Sequence, residues 1–311
     1  MSAGGDGSQA RPGISTDAGA EATRELRIGM TAALSAYLLW GFAVVFFKWV
    51  EHLPVWEIVA NRIAWSVVFV GLFLFVRGRF GEVRAALATP KVRMALVVST
   101  LLIATNWTVY IWAVTNAQVL PASFGYFINP LVNVLLGFLL LGERLTRNQS
   151  VAVGIAAVAV AIQALMLPGF PWISLTLAFS FGFYGYIRKL TPVGASPGLF
   201  IETAFLLPVA LAYIAVLGAN GEGHLFTAPL TSLQLALTGI VTALPLILFA
   251  VGARRLKLAT IGLLQYLAPS IQFLLAVLVY GEPLSPIRFA TFALIWLSLA
   301  IYTADSWRKR G

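Results

Sequence analysis

Ten separate stretches of this chain, each 17 to 23 residues long, are apolar almost throughout: 28 to 47, 56 to 76, 94 to 115, 120 to 141, 149 to 167, 171 to 187, 198 to 217, 232 to 252, 258 to 280 and 287 to 304. A helix needs about 20 such residues to cross about 30 Å of hydrocarbon. In lipid the backbone must satisfy its own polar groups, and a helix does so internally. The expected fold is an all-α membrane protein with ten transmembrane helices. Composition agrees, since 59% of the 311 residues are hydrophobic and 11% charged, against about a quarter charged in soluble domains. A soluble globular enzyme is thereby excluded, and the connections leave no room for a separate soluble domain.

Charge placement orients the spans. Eighteen of the 21 Lys and Arg residues fall in the N-terminal stretch, the even-numbered connections or the C-terminus, in clusters such as Arg77-Arg79-Arg84, Arg144-Arg147, Arg188-Lys189 and Arg254-Arg255-Lys257. The opposite side holds Lys48 and Arg288, and Arg62 lies within a span. By the positive-inside rule both termini face the cytoplasm, as in a multi-pass inner-membrane protein. These basic residues read as determinants of topology, so the net charge of +9 implies no nucleic-acid partner. Residues 1 to 27 mix small and charged residues without apolar periodicity and read as a disordered cytoplasmic tail; they are too polar for a signal peptide. Residues 306 to 311 form a basic cytoplasmic C-terminus. The chain has no cysteine and only His52 and His224, so disulfides, thiolate chemistry and histidine metal clusters drop out. No cofactor or metal is expected.

The chain resembles itself. Residues 39 to 48 match 180 to 189 at an offset of 141, aligning Gly41 with Gly182 and Lys48 with Lys189. Residues 130 to 145 match 269 to 284 at an offset of 139, aligning Pro130 with Pro269 and Gly142-Glu143 with Gly281-Glu282. This divides the spans into a first five-helix repeat over 28 to 168 and a second over 169 to 305. Five being odd, equivalent helices enter the membrane from opposite sides, and inverted repeats are the architecture of alternating-access transporters.

Pro130 and Pro269 sit inside the fourth and ninth spans, where each removes a backbone hydrogen bond and frees the carbonyl four residues earlier, that of Tyr126 and of Gln265. Freed backbone within a membrane is tolerated where protein or a wet cavity satisfies it. Tyr126, Pro130 and Asn133 share a helical face, as do Gln265, Pro269 and Gln272. Paired interruptions at matching positions point to a central site; packing between spans is the alternative. In the third span Asn106 and Tyr110 share a face, with Trp107 beside them. The predicted lining is Asn106, Tyr110, Tyr126, Asn129, Asn133, Gln265 and Gln272, with Pro130 and Pro269 in gating.

Ionisable groups within spans are costly and mark function. Arg62 lies about 10 Å into the second span, where it either neutralises an anionic group of a solute or snorkels to the surface. Glu202, in the seventh span, is a candidate for coupling or gating, or a hydrogen-bonded interface residue. Inversion sets Arg62 and Glu202 at different depths, so a direct pair between them is not the first expectation. Gly142 and Gly281 read as helix C-caps. Ala152, Ala156, Ala157 and Ala161 form a small-residue stripe suited to packing within the bundle, or to a homodimer.

The strings GYFINPLVN at 125 to 133, LGER at 141 to 144, AFSFGFYGYIRK at 178 to 189, ETAFLLP at 202 to 208 and QYLAPS at 265 to 270 closely resemble RarD-type proteins of the EamA branch of the drug/metabolite transporter superfamily, over residues 28 to 305. The resemblance implies ten helices in two inverted repeats, an inner-membrane location and a small organic solute as partner beside the bilayer; it carries over no catalytic residues. Where the family pattern has a proline this chain has Val44, and where it has an acidic residue this chain has Pro121. The leading expectation is a non-enzymatic secondary transporter, with proton exchange as the candidate coupling. The alternatives are a non-transporting sensor or scaffold and an intramembrane transferase on lipid-linked substrates. Transferase chemistry calls for clustered acids or metal ligands, and the acids here are scattered.

Overall fold

A computed structural model describes residues 14–116, 118–165, 169–281 and 286–308. Twelve helices and no strand occur among them: α1 (Ile14–Trp49), α2 (Val55–Val76), α3 (Phe80–Ala88), α4 (Pro90–Thr115), α5 (Val119–Leu141), α6 (Arg147–Ala164), α7 (Trp172–Leu190), α8 (Ala195–Asn220), α9 (Pro229–Arg255), α10 (Leu258–Gln265), α11 (Leu267–Leu278) and α12 (Pro286–Arg308). Each expected apolar segment falls mainly on helix, residues 166 and 167 of the fifth lying outside the described residues. By length and apolarity, seven of the described segments suffice to cross a membrane: α1, α2, most of α4 and of α5, α8, α9, and α10 with α11 taken together. A shorter apolar stretch, Phe289–Asp305, lies in α12. The helices α6 and α7 are 18 and 19 residues long, and polar residues stand at one end of each.

Three departures from expectation have local causes. The N-terminal stretch is helical from Ile14, so residues 14 to 27 are not a structureless tail; Ala, Glu and Arg favour helix, and Glu25 accepts a 2.7 Å bond from Arg255. The ninth span is broken into α10 and α11 around Tyr266, because Pro269, three residues on, cannot donate into a continuous ladder. Pro130, by contrast, stays inside one helix. The added α3 is short and carries Glu82 beside Arg79, which donates to it at 2.5 and 2.9 Å and holds its carboxyl below the ordinary range.

The helices run alternately between two ends. At the basic end Arg254 donates to the Val193 carbonyl, and Thr146 and Asn148 donate to Asp305. At the opposite end His224 bonds Glu57, Gln234 donates to the Trp49 carbonyl, and the rings of Trp112 and Trp172 meet. Gly142 ends α5 in the left-handed region at φ 63°, as its C-cap reading requires. Gly281 has the same conformation at φ 67°; Glu282 lies outside the described residues. The Glu143 carboxylate accepts from the backbone N–H groups of Leu258 and Ala259 at 2.8 and 3.1 Å, so it caps the start of α10.

The principal helix contacts pair α1 with α9 and α11, α7 with α4 and α5, α2 with α8 and α9, α4 with α8, α5 with α10, and α6 with α12. Number the helices as two consecutive sets of five, leaving α3 aside and joining α10 to α11; exchanging the sets then carries these pairs onto one another, while the contacts of α9 with α7 and α8 have no comparable counterpart between α4 and α1 or α2. Gly41 on α1 packs on Ile271, and Gly182 on α7 packs on Val132; Ile271 and Val132 are themselves 139 residues apart, as Pro269 and Pro130 are. Ala152 and Ala156 are fully buried, and the Ser298 hydroxyl of α12 donates to the Ala152 carbonyl. Ala157 and Ala161 face outward, so the stripe serves intramolecular packing through its first two members.

Candidate functional site

Arg62 reaches into the bundle. Its Nε donates to Thr242 Oγ1 of α9 at 3.0 Å, and its guanidinium carbon stands 4.6 Å from the Trp107 ring centroid on α4. Thr242 is buried and lies midway along α9, so the side chain does not snorkel to a surface. The phenols of Tyr110 and Tyr126 are its electrostatic neighbours, and their rings meet edge to face with centroids 6.1 Å apart. Both rings remain partly open, 36% and 41% exposed, and Tyr126 stands seven residues before the buried Asn133, on the face of α5 that turns toward α10.

The other predicted residues divide among separate environments. Asn133, fully buried on α5, donates to Gln265 Oε1 of α10 at 3.1 Å. Asn129 is buried one turn away, and neither its Oδ1 nor that of Asn133 has a partner. The Tyr266 hydroxyl donates to the Phe127 carbonyl at 3.0 Å, one residue beyond the carbonyl that Pro130 frees. Asn106 is an interhelical tie, donating to the Leu177 carbonyl and Ser180 hydroxyl of α7 at 2.9 and 3.0 Å. Gln272 is exposed and donates to the Trp40 carbonyl of α1. The expectation of one polar lining thus resolves into an Arg62–Tyr110–Tyr126 group, an Asn129–Asn133–Gln265 seam, and two ties outside both.

Glu202 and Arg62 occupy different surroundings. The Glu202 carboxylate, fully buried, accepts from Ser99 at 2.5 Å and from Tyr184 at 3.2 Å, and lies 3.6 Å from Arg188 Nε. Arg188 is itself buried, donates to the carbonyls of Gly194 and Ala195, and leaves Nη1 without a hydrogen bond. The sequence reading gives this arginine a topology role alone and does not foresee its burial against Glu202. The chain turns tightly between α7 and α8, so residues just before and just after the turn must meet, and that spacing was the available signal. Ser99, Tyr184, Thr242 and the stacking of Trp107 gave no comparable sign.

Toward the basic end, Phe249 is fully buried among aromatic rings. It meets Tyr37, Trp40, Phe181 and Tyr184 at centroid distances of 5.1 to 6.5 Å. Trp40 and Phe181, aligned by the 141-residue offset, touch each other at 5.9 Å. Phe249, Tyr37 and Tyr184 are each fully buried, so no open space reaches them. A cleft of about 570 Å³ between α5, α6 and α7 is lined by apolar side chains such as Ile128, Phe138 and Phe179, which suits acyl chains and offers nothing to a polar solute.

Residues 27–165 match the model of the EamA-like transporter family. The chain is 45% identical to the "Uncharacterized transporter PA0485" of Pseudomonas aeruginosa, covering 93% of this chain and 97% of that one. It is 42% identical to "Protein RarD" of Escherichia coli K12, covering 91% and 96%. A crystal structure with 20% sequence identity superposes at a TM-score of 0.68, covering 90% of this chain and 98% of the other, and it shows the shared fold. With identity at this level along nearly the whole chain, the protein belongs to the EamA-like transporter family of the drug/metabolite transporter superfamily, alongside the RarD proteins.

Proposed function

We propose that the protein is a secondary active transporter that carries a small organic solute across the inner membrane by alternating access between two inverted five-helix repeats. In this reading the ten apolar segments all cross the bilayer, and the basic end with both termini faces the cytoplasm. One observation carries the proposal. The space before Tyr110 and Tyr126 is open, while the Phe249 cluster on the basic side is packed shut. A bundle most of whose principal contacts are exchanged by swapping its halves can take up an equivalent state with the open and shut sides reversed.

Arg62, Tyr110 and Tyr126 line the solute site, and the Asn129–Asn133–Gln265 seam beside the Pro130 bend and the Pro269 break is where the halves move on one another. Glu202 takes up the coupled proton, released from Arg188 as it does so. Reconstitution into liposomes with an imposed pH gradient tests this. Solute accumulation driven by the gradient supports it, and binding without flux would identify a sensor instead.

A further inference from the structure

Charge balance singles out Arg62. Among the described residues Glu202 lies beside Arg188, Glu57 bonds the His224 ring and accepts from its backbone N–H, Asp305 accepts from Thr146 and Asn148, Lys189 donates to the Ala253 and Leu256 carbonyls, and Glu143 accepts from the backbone N–H groups that open α10. No described residue offers Arg62 a carboxylate within ion-pair distance, and its one hydrogen bond among them is from Nε to Thr242. A lone positive charge at this depth is expensive, and among the described residues its two terminal nitrogens make no hydrogen bond. Trp107 holds the guanidinium plane from one side, which fixes the direction of the remaining donors.

We propose that the solute is an organic monoanion, a carboxylate on a flat apolar body, with the carboxylate on the two terminal nitrogens of Arg62 and the body against Tyr110 and Tyr126. The geometry of a guanidinium matches a carboxylate through two parallel hydrogen bonds. One positive charge balances one negative charge, so a phosphate dianion would bring a second charge with no partner. An ammonium group on the solute would likewise find no free carboxylate at this site. The two tyrosine rings, meeting edge to face, present apolar surface with hydroxyl tips. This assignment deepens the transporter reading and rests on it for movement of the anion, while binding is measurable without flux.

The test compares benzoate and 2-naphthoate with benzamide and benzylamine on the purified full-length protein, by titration calorimetry and thermal unfolding. The carboxylates should bind and raise the melting temperature, and the amide and amine should bind at least about tenfold more weakly, the worth of a charge-assisted bond. Arg62→Gln should remove carboxylate binding, Arg62→Lys should retain part of it, and unliganded Arg62→Gln should melt no lower than the parent because an unpaired charge is gone. Failure of both carboxylates to bind, equal binding by the amide or the amine, or undiminished binding in Arg62→Gln would overturn the assignment. The discrimination among four ligands on the parent protein stands even if a variant does not fold. Liposome flux separates the two readings: carboxylate binding without transport leaves the site and removes the transporter, whereas transport of neutral or cationic solutes alone does the reverse.

Discussion

Asn133 donates a 3.1 Å hydrogen bond to the side-chain oxygen of Gln265, tying the proline-containing α5 of the first half to the broken helix of the second. Both residues are buried, and the remaining amide oxygens of Asn133 and Asn129 are unpaired. Such orphan acceptors are rare in native interiors. At this seam a small change in helix position can exchange partners.

A double-mutant cycle measures the tie. Asn133→Ala and Gln265→Ala should each destabilise the protein, with a coupling of about 0.6 kcal/mol and at most about 2, the range of interhelical bonds in membranes. Additive effects on unfolding in detergent would show that the bond contributes nothing.

Removing one member of a buried pair leaves the other charge uncompensated, at a cost of about 3 to 5 kcal/mol. Glu202→Gln should therefore lower the melting temperature, and Arg188→Gln added to it should restore part of the loss. The single variant should also lose gradient-driven uptake while keeping solute exchange. Uptake unchanged in Glu202→Gln would remove this carboxylate from coupling.

Gly198 on α8 lies directly under the Arg188 guanidinium, with no space for a methyl group. Gly198→Ala should cost about 1 to 3 kcal/mol by overpacking and should displace the arginine from Glu202. If the variant unfolds like the parent, the guanidinium does not occupy that place.

The Glu143 carboxylate stands in for an N-cap side chain at α10. Glu143→Ala should cost about 0.5 to 2 kcal/mol, as lost caps do, and hydrogen exchange should quicken at Leu258 and Ala259. Unchanged exchange there would show that the cap is not formed.

Part of the architecture was legible because lipid enforces it: apolar length and proline position are one-dimensional signals, and they gave the all-helical fold and the interruption at Pro269. The packing of Gly41 on Ile271 and of Gly182 on Val132 accords with the offsets of 141 and 139 residues at which a few residues matched. The site was less legible. Tyr126 and Asn133 share a helical face, yet they serve different neighbours, since α4 meets one and α10 the other. Arg188 looked like a loop charge because it stands two residues from the helix end, and only the tight α7–α8 turn buries it. Gln272 matched Asn133 in register, but its partner is the Trp40 carbonyl on α1, and such a choice depends on side-chain reach.

The chain contains no cysteine, so single cysteines report accessibility without background. In right-side-out vesicles without solute, a membrane-impermeant maleimide should label Tyr110→Cys from the periplasmic side and leave Phe249→Cys untouched. A transported solute should then slow the first and expose the second to reagent trapped inside. Simultaneous labelling of Phe249→Cys and Tyr110→Cys from one side would contradict an opening that alternates between the two faces.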